Sequence, residues 1–313
     1  MIAVIFPGQG SQKAGMGQGL RESFPESKEV YDIADSVITD DMSESLSQLI
    51  AEDREKKLML TEYTQPAVLT VSIAAYFALK ARGLQPAWVA GHSLGEYSAH
   101  VASGTLKFED AVRIVRRRGR YMQEAVPVGQ GAMAAILGLD EDTVQRACLE
   151  AAEGDVVPHA NLNGGGQIVI AGEKKAVYRA VERAKTLGAR RAIPLPVSAP
   201  FHCALMQAAQ DRLEPELRAL PVLDPVLPVI ANVDAQPKRD SRSAIQALVD
   251  QVSAPVQWEA VVKRLATEGV TTYVEVGPGT VLSGLIRKIH PEAETLHFGV
   301  PTDLPNISSV LAS

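Results

Sequence analysis

Short apolar runs alternate with amphipathic stretches along the chain, the pattern of an α/β protein. Ile2–Phe6, Trp88–Ala90, Val229–Asn232 and Thr272–Val276 read as strands, each followed by Gly, Pro, Asn or Asp as expected where strands end. The longest apolar run, Ala67–Leu79, has 13 residues, contains Thr70 and Ser72, and stops at Lys80. A membrane span needs about 18, so the pattern predicts a buried helix started by Pro66. The middle of the chain has another rhythm. Ala132–Leu137 reads as a strand, Asp140–Ala152 as a helix, Val156–Ala160 and Gln167–Ala171 as strands around the turn Asn163–Gly166. A helix over Lys174–Leu187 and a strand over Arg190–Leu195 follow. That order is βαββαβ, a ferredoxin-like unit. The predicted organisation is an α/β core over 1–126 and 197–313, with an inserted subdomain over 127–196.

Composition narrows the functional classes. Lys and Arg number 31 against 37 Asp and Glu, a net charge of −6, so a general nucleic-acid binder is disfavoured. Two cysteines, Cys148 and Cys203, make no disulfide framework, and a reducing, cytoplasmic setting is expected. Met1–Phe6 has no basic lead-in and meets Pro7-Gly8 at once, unlike a signal peptide.

Gly91-His92-Ser93-Leu94-Gly95 fits G-x-S-x-G, between a predicted strand and the helix-like Glu96–Ser103. A sharp strand-to-helix turn exposes the serine hydroxyl, and the helix N-terminus favours negative charge on an attacked carbonyl. A serine nucleophile needs a base, and the chain has six histidines. His92 adjoins the serine, but neighbours at such a turn point apart. His202, in a loop beside Pro200, is more suggestive than a helix position; spacing does not choose it over His290 or His297. The loop Phe6–Gln12 lacks the P-loop pattern and fails G-x-G-x-x-G at Lys13, so phosphate binding is unsupported. It can instead offer a backbone N–H to an oxyanion. No metal-ligand spacing is present.

Helical geometry singles out Arg118. On a helix over Asp110–Ala125, Val112, Val115, Gly119 and Met122 mark an apolar side, and Arg113, Arg116, Arg117 and Arg120 an opposite basic stripe. Arg118 falls inside the apolar arc, about 150° from the centre of the stripe. A guanidinium there needs an anionic partner. That partner is either a carboxylate of the protein or one of the substrate, which a planar fork suits.

Taken together, FPGQGSQ at 6–12, GHSLGEYSA at 91–99, RG and MQEA within 118–125, and NLNGGGQIVIAG at 161–172 resemble one family. PFHCALM at 200–206, PVQW at 255–258 and EVGPG at 275–279 extend the likeness over nearly the whole chain. It is similar to the malonyl-CoA:acyl carrier protein transacylases, the acyltransferases of bacterial type II fatty acid synthesis. The resemblance implies an α/β-hydrolase-like core with a ferredoxin-like insertion. It also implies Ser93 as nucleophile and His202 as base and acid, with the N–H groups of Gln9 and Leu94 as oxyanion hole. Arg118 would bind the malonyl carboxylate, and Gln257 would orient the histidine through its backbone carbonyl. Met122, Met133, Asn163 and Phe201 would line the acyl pocket. No tightly bound cofactor is implied: malonyl-CoA is the substrate, and phosphopantetheine arrives on an acidic acyl carrier protein, the transient partner. A monomer without membrane or nucleic-acid partners is expected. Docking patches would be the Arg113/Arg116/Arg117/Arg120 stripe, Lys174-Lys175 and Arg190-Arg191.

Three rival readings stay open on the sequence. A serine hydrolase would share the core and the G-x-S-x-G turn, with a triad such as Ser93–Asp250–His297, but would leave Arg118 unexplained. A polyketide or malonate decarboxylase acyltransferase would share the chemistry. A binding protein that kept the fold is disfavoured, because serine, histidine, arginine and the glycine loop occur together.

Overall fold

The computed structural model describes residues 1–311 apart from 40, 41, 43, 55 and 198. Among them the strands are β1 (Ile2–Phe6), β2 (Trp88–Gly91), β3 (Gly131–Leu137), β4 (His159–Gly164) and β5 (Gln167–Glu173), then β6 (Arg191–Pro194), β7 (Val229–Ile230), β8 (Pro237–Lys238), β9 (Thr272–Val276) and β10 (Glu294–Phe298). They form two sheets, ordered β10-β9-β1-β2-β7-β8 and β4-β5-β3-β6. In the larger sheet all neighbours are parallel except β7 and β8.

β1 lies at the centre of the larger sheet and is apolar throughout because both its faces are covered. Val4 and Phe6 face one cluster with Leu79, Ala99 and Val276; Ala3 and Ile5 face another with Trp258, Val261 and Tyr273. Helices Thr61–Lys80 and Leu94–Ala102 thus cover one face, and Trp258–Thr267 and Val281–Ile289 the other. Each large side chain so enclosed contributes about 1.5–3 kcal/mol.

The smaller sheet is antiparallel throughout. Ala132, Ala134 and Ile136 of β3 face helices Glu141–Ala152 and Lys174–Thr186, while Met133 and Ala135 face the core that the subdomain shares with the rest of the chain. The βαββαβ order places a two-sided β3 at the junction, so its alternate residues serve two different cores.

Two elements differ most from the sequence expectation. The helix predicted to start at Pro66 begins at Thr61. Pro66 removes one bond near the helix start, to Glu62, where the loss is small, and the Thr64 hydroxyl caps Leu58 O and Leu60 O at 2.6 and 3.0 Å. The extra turn carries Gln65 into the protein interior. The strand expected at Val156–Ala160 is β4, His159–Gly164. Pro158 has no N–H for the ladder, and the polar Asn161 and Asn163 fit a strand because they border cavities and do not enter a dry core.

Candidate active site

β2 ends at Gly91 and helix Leu94–Ala102 begins after only His92 and Ser93, so Ser93 occupies the turn with φ 53° and ψ −107°. A non-glycine residue with positive φ is strained; the surroundings hold it. A Cβ on Gly91 would lie 2.0 Å from Gly95 C, and one on Gly95 would lie 2.1 Å from Phe6 O. The two glycines of the motif are therefore required by close backbone approach. Asn232 clamps the turn, its Oδ1 accepting from Ser93 N–H at 2.7 Å and its Nδ2 donating to Gly91 O at 2.7 Å.

His202 is buried, and its Nε2 lies 2.7 Å from Ser93 Oγ. Its Nδ1 lies 2.9 Å from the backbone carbonyl of Gln251. A carbonyl only accepts, so Nδ1 carries the proton and Nε2 is free to receive the serine's. Burial first, and the nearby Arg118 charge second, push His202 down to about 3, which keeps the ring neutral.

The residue expected to orient the histidine, Gln257, does not. It caps helix Trp258–Thr267, its carbonyl accepts from Val261 N–H, and its side chain donates to Val233 O at 2.6 Å. Gln251 instead closes helix Ser241–Asp250, where terminal carbonyls lack intrahelical partners. Its carbonyl is thus available to the imidazole.

Arg118 is 1% exposed, on helix Phe108–Glu124, as its place in the apolar arc required. Nη1 donates to Gln65 Oε1 at 2.8 Å, and Nη2 to Gln251 Oε1 at 2.9 Å and Ser93 Oγ at 3.3 Å. The guanidinium lies 5.4 Å from the centre of the Tyr97 ring. Its close acceptors are neutral amides and a hydroxyl; among the described residues no carboxylate is within ion-pair distance. The stripe behind it is less uniform than the helical wheel implied. Arg116 is buried, over the Tyr63 ring, because the neighbouring helix covers that side. Arg113, Arg117 and Arg120 pair with Asp110, Glu216 and Glu62.

A cavity of about 120 Å³ holds these groups together. Gln9 and Leu94 border it, with Met122, Met133 and Phe201 on its walls. Asn163, expected among them, is instead bonded through Oδ1 to His92 Nε2 at 2.8 Å and borders an adjoining channel of about 280 Å³ with Gly8, Ser11 and Leu285. Asn161, two residues back on the same face of β4, lines both. His92 Nε2 is thus engaged by Asn163, while Ser93 Oγ meets His202. The alternative base His297 is occupied elsewhere, by Gly277 O at 3.1 Å and Asp303 Oδ2 at 3.3 Å. Asp250, its supposed partner, accepts from Gln246 on its own helix.

Gln65, Glu96, Asn232 and Gln251 were not singled out by the sequence. None belongs to a spacing that signals chemistry, except that Glu96 stands one helical turn after the motif serine.

One small cavity brings together a strained serine on a strand-to-helix turn, a histidine oriented by a carbonyl and a buried arginine, the groups that acyl transfer calls for. The chain belongs to the acyl transferase domain family, which it matches over residues 4–297. It is 47% identical over 301 residues to the malonyl CoA-acyl carrier protein transacylase of Bacillus subtilis, covering 96% of this chain and 94% of that one. The structure of the malonyl CoA-acyl carrier protein transacylase from Coxiella burnetii superposes with a TM-score of 0.95 at 41% identity, covering 100% and 98% of the two chains. A malonyl-transacylase solved in complex with its type II polyketide synthase acyl-carrier protein superposes at 0.94, with 42% identity over 97% and 98%.

Proposed function

We propose that the protein transfers malonyl from malonyl-CoA to the phosphopantetheine thiol of an acyl carrier protein, supplying fatty acid chain elongation. The observation that carries the reading is the meeting at one oxygen: Ser93 Oγ lies 2.7 Å from His202 Nε2 and 3.3 Å from Arg118 Nη2. The serine oxygen attacks the thioester carbonyl while its proton passes to Nε2. The tetrahedral oxyanion sits against the N–H groups of Gln9 and Leu94, each worth about 2.7–4 kcal/mol. Collapse breaks the C–S bond, and the histidine returns the proton to the departing coenzyme A sulfur. The carrier thiol then gives its proton to the same nitrogen and attacks the malonyl-serine; the acyl C–O bond breaks, His202 returns the proton to Ser93 Oγ, and the carrier leaves as malonyl thioester. Arg118 holds the free carboxylate through both halves. Malonyl and phosphopantetheine come and go with the two substrates, so the chain needs no resident cofactor. No described helix is long and apolar enough to cross a membrane.

The test is intact mass after mixing with malonyl-CoA alone, with Ser93→Ala alongside. A malonyl adduct on the parent only, discharged by holo carrier protein, is expected. An adduct that decays in water as fast as it forms would make the protein a hydrolase.

The carrier's acidic surface would dock at Arg190 and Arg191. Both are exposed, and Leu195, at the end of the segment that begins with them, borders the Ser93 cavity. The arginines of helix Phe108–Glu124 fit less well, being buried or paired. Charge reversal at Arg190 and Arg191 should raise the carrier's KM and leave malonyl loading unchanged; an unaltered KM would remove this surface.

A further inference from the structure

Glu96 is fully buried on helix Leu94–Ala102 and takes no part in the chemistry above. Its Oε2 accepts two hydrogen bonds, from Asn232 N–H at 2.9 Å and from Gln251 Nε2 at 2.7 Å. A backbone N–H only donates, so this oxygen is an acceptor and the NH₂ end of Gln251 must face it. The amide oxygen of Gln251 is then left toward Arg118, where it accepts from Nη2 at 2.9 Å. The same NH₂ donates to Ser93 O at 3.0 Å. One carboxyl oxygen therefore anchors two residues that between them hold the Ser93 backbone on both sides, His202 and Arg118.

We propose that Glu96 is a positioning residue that sets acyl-group selectivity, by fixing the orientation of the Gln251 amide and through it the aim of the Arg118 guanidinium. Turned the other way, Gln251 would present NH₂ to a guanidinium that has only donors. Arg118 would then keep Gln65 as its sole amide acceptor. Burial raises the Glu96 carboxyl to about 7. Oε2 stays an acceptor toward the Gln251 amide when the carboxyl is ionised or protonated on Oε1. Oε1 has no hydrogen-bond partner among the described residues and can carry the proton, leaving Oε2 to accept. The inference rests on malonyl transfer as the activity.

The experiment compares kcat/KM for malonyl-CoA and acetyl-CoA, with holo carrier protein as acceptor, across the full-length parent, Glu96→Gln, Glu96→Ala and Gln251→Met. Melting temperature is recorded for each. Glu96→Gln can keep an oxygen where Oε2 lies, so its malonyl-to-acetyl ratio should stay within about threefold of the parent. Glu96→Ala should lower the ratio about 10- to 100-fold, the range for a lost hydrogen bond to a charged group. Gln251→Met keeps the backbone carbonyl for His202 and should lower the ratio similarly; the double variant should lower it no further. Equal loss with both acyl groups would mean a structural role only and would overturn the proposal. So would Glu96→Gln behaving like Glu96→Ala, which would place the effect in charge and not orientation. Should Glu96→Ala fail to fold, an unchanged ratio in Gln251→Met overturns the proposal by itself. A parent that takes up no malonyl would overturn the activity, before any variant is compared.

Discussion

At the scale of single residues, Arg118 separates this site from a plain serine hydrolase. Two amide oxygens and a serine oxygen surround a buried cation, with no carboxylate of the protein at ion-pair distance among the described residues. Such an arrangement favours a substrate that brings the anion, and an uncharged acyl group leaves the arginine's charge uncompensated. Arg118→Ala should therefore cut malonyl transfer by about a hundredfold or more while sparing or raising acetyl transfer. Steady-state kinetics with both thioesters checks it, and equal losses would remove the carboxylate role. Arg118 was legible because helical periodicity places it among Val115, Gly119 and Met122. Gln251 was not, because its part is played by a backbone carbonyl, which every residue has. The choice of Gln257 failed for the same reason: a carbonyl's availability depends on where helices end and not on which side chain it carries.

The elements work as spacers that bring separate glycines and polar groups into contact. Helix Leu94–Ala102 packs so closely under β1 that Gly95 approaches the carbonyl of Phe6. Gly95→Ala would force a methyl to within 2.1 Å of that oxygen. Destabilisation of about 3 kcal/mol or more is expected, beyond ordinary overpacking because the obstacle is backbone. Urea denaturation followed by circular dichroism would measure it; a parent-like midpoint would show that the helix can slide outward. Most core strands and the two subdomain helices were readable from apolar runs and their breakers. Element boundaries were read wrongly where a proline stood near an end, at Pro66 and Pro158. Proline forbids a donor at one position, but whether an element starts before or after it depends on the neighbours that satisfy the remaining backbone groups.

For the molecule as a whole, the large shared interior holds titratable groups in neutral form, and this sets its response to acid. His100 is fully buried, its ring nitrogens have no hydrogen-bond partner among the described residues, and burial lowers it from 6.5 to about 3. Between those values the unfolded chain takes up a proton that the native protein does not, so stability falls on acidification through that window. His202 adds a fall of the same sign. Glu96, raised from 4.5 to about 7, acts oppositely, its native form holding a proton that the unfolded chain has lost. His100→Leu should therefore flatten the decline in melting temperature between pH 6.5 and pH 4. A decline as steep as the parent's would show that His100 titrates normally in the fold.

The amino-acid sequence by itself determined the α/β class, the inserted βαββαβ unit, the serine turn and the buried arginine. All of these are local: they follow from the period of apolar positions, from breakers and from residues a few places apart. The tertiary structure decided which histidine meets the serine, which carbonyl orients it, and which amides hold the arginine. Those partners lie 109 residues apart for Ser93 and His202 and 133 for Arg118 and Gln251. No periodicity spans such distances. Only the packing of helix ends against the parallel sheet brings the groups within hydrogen-bonding reach.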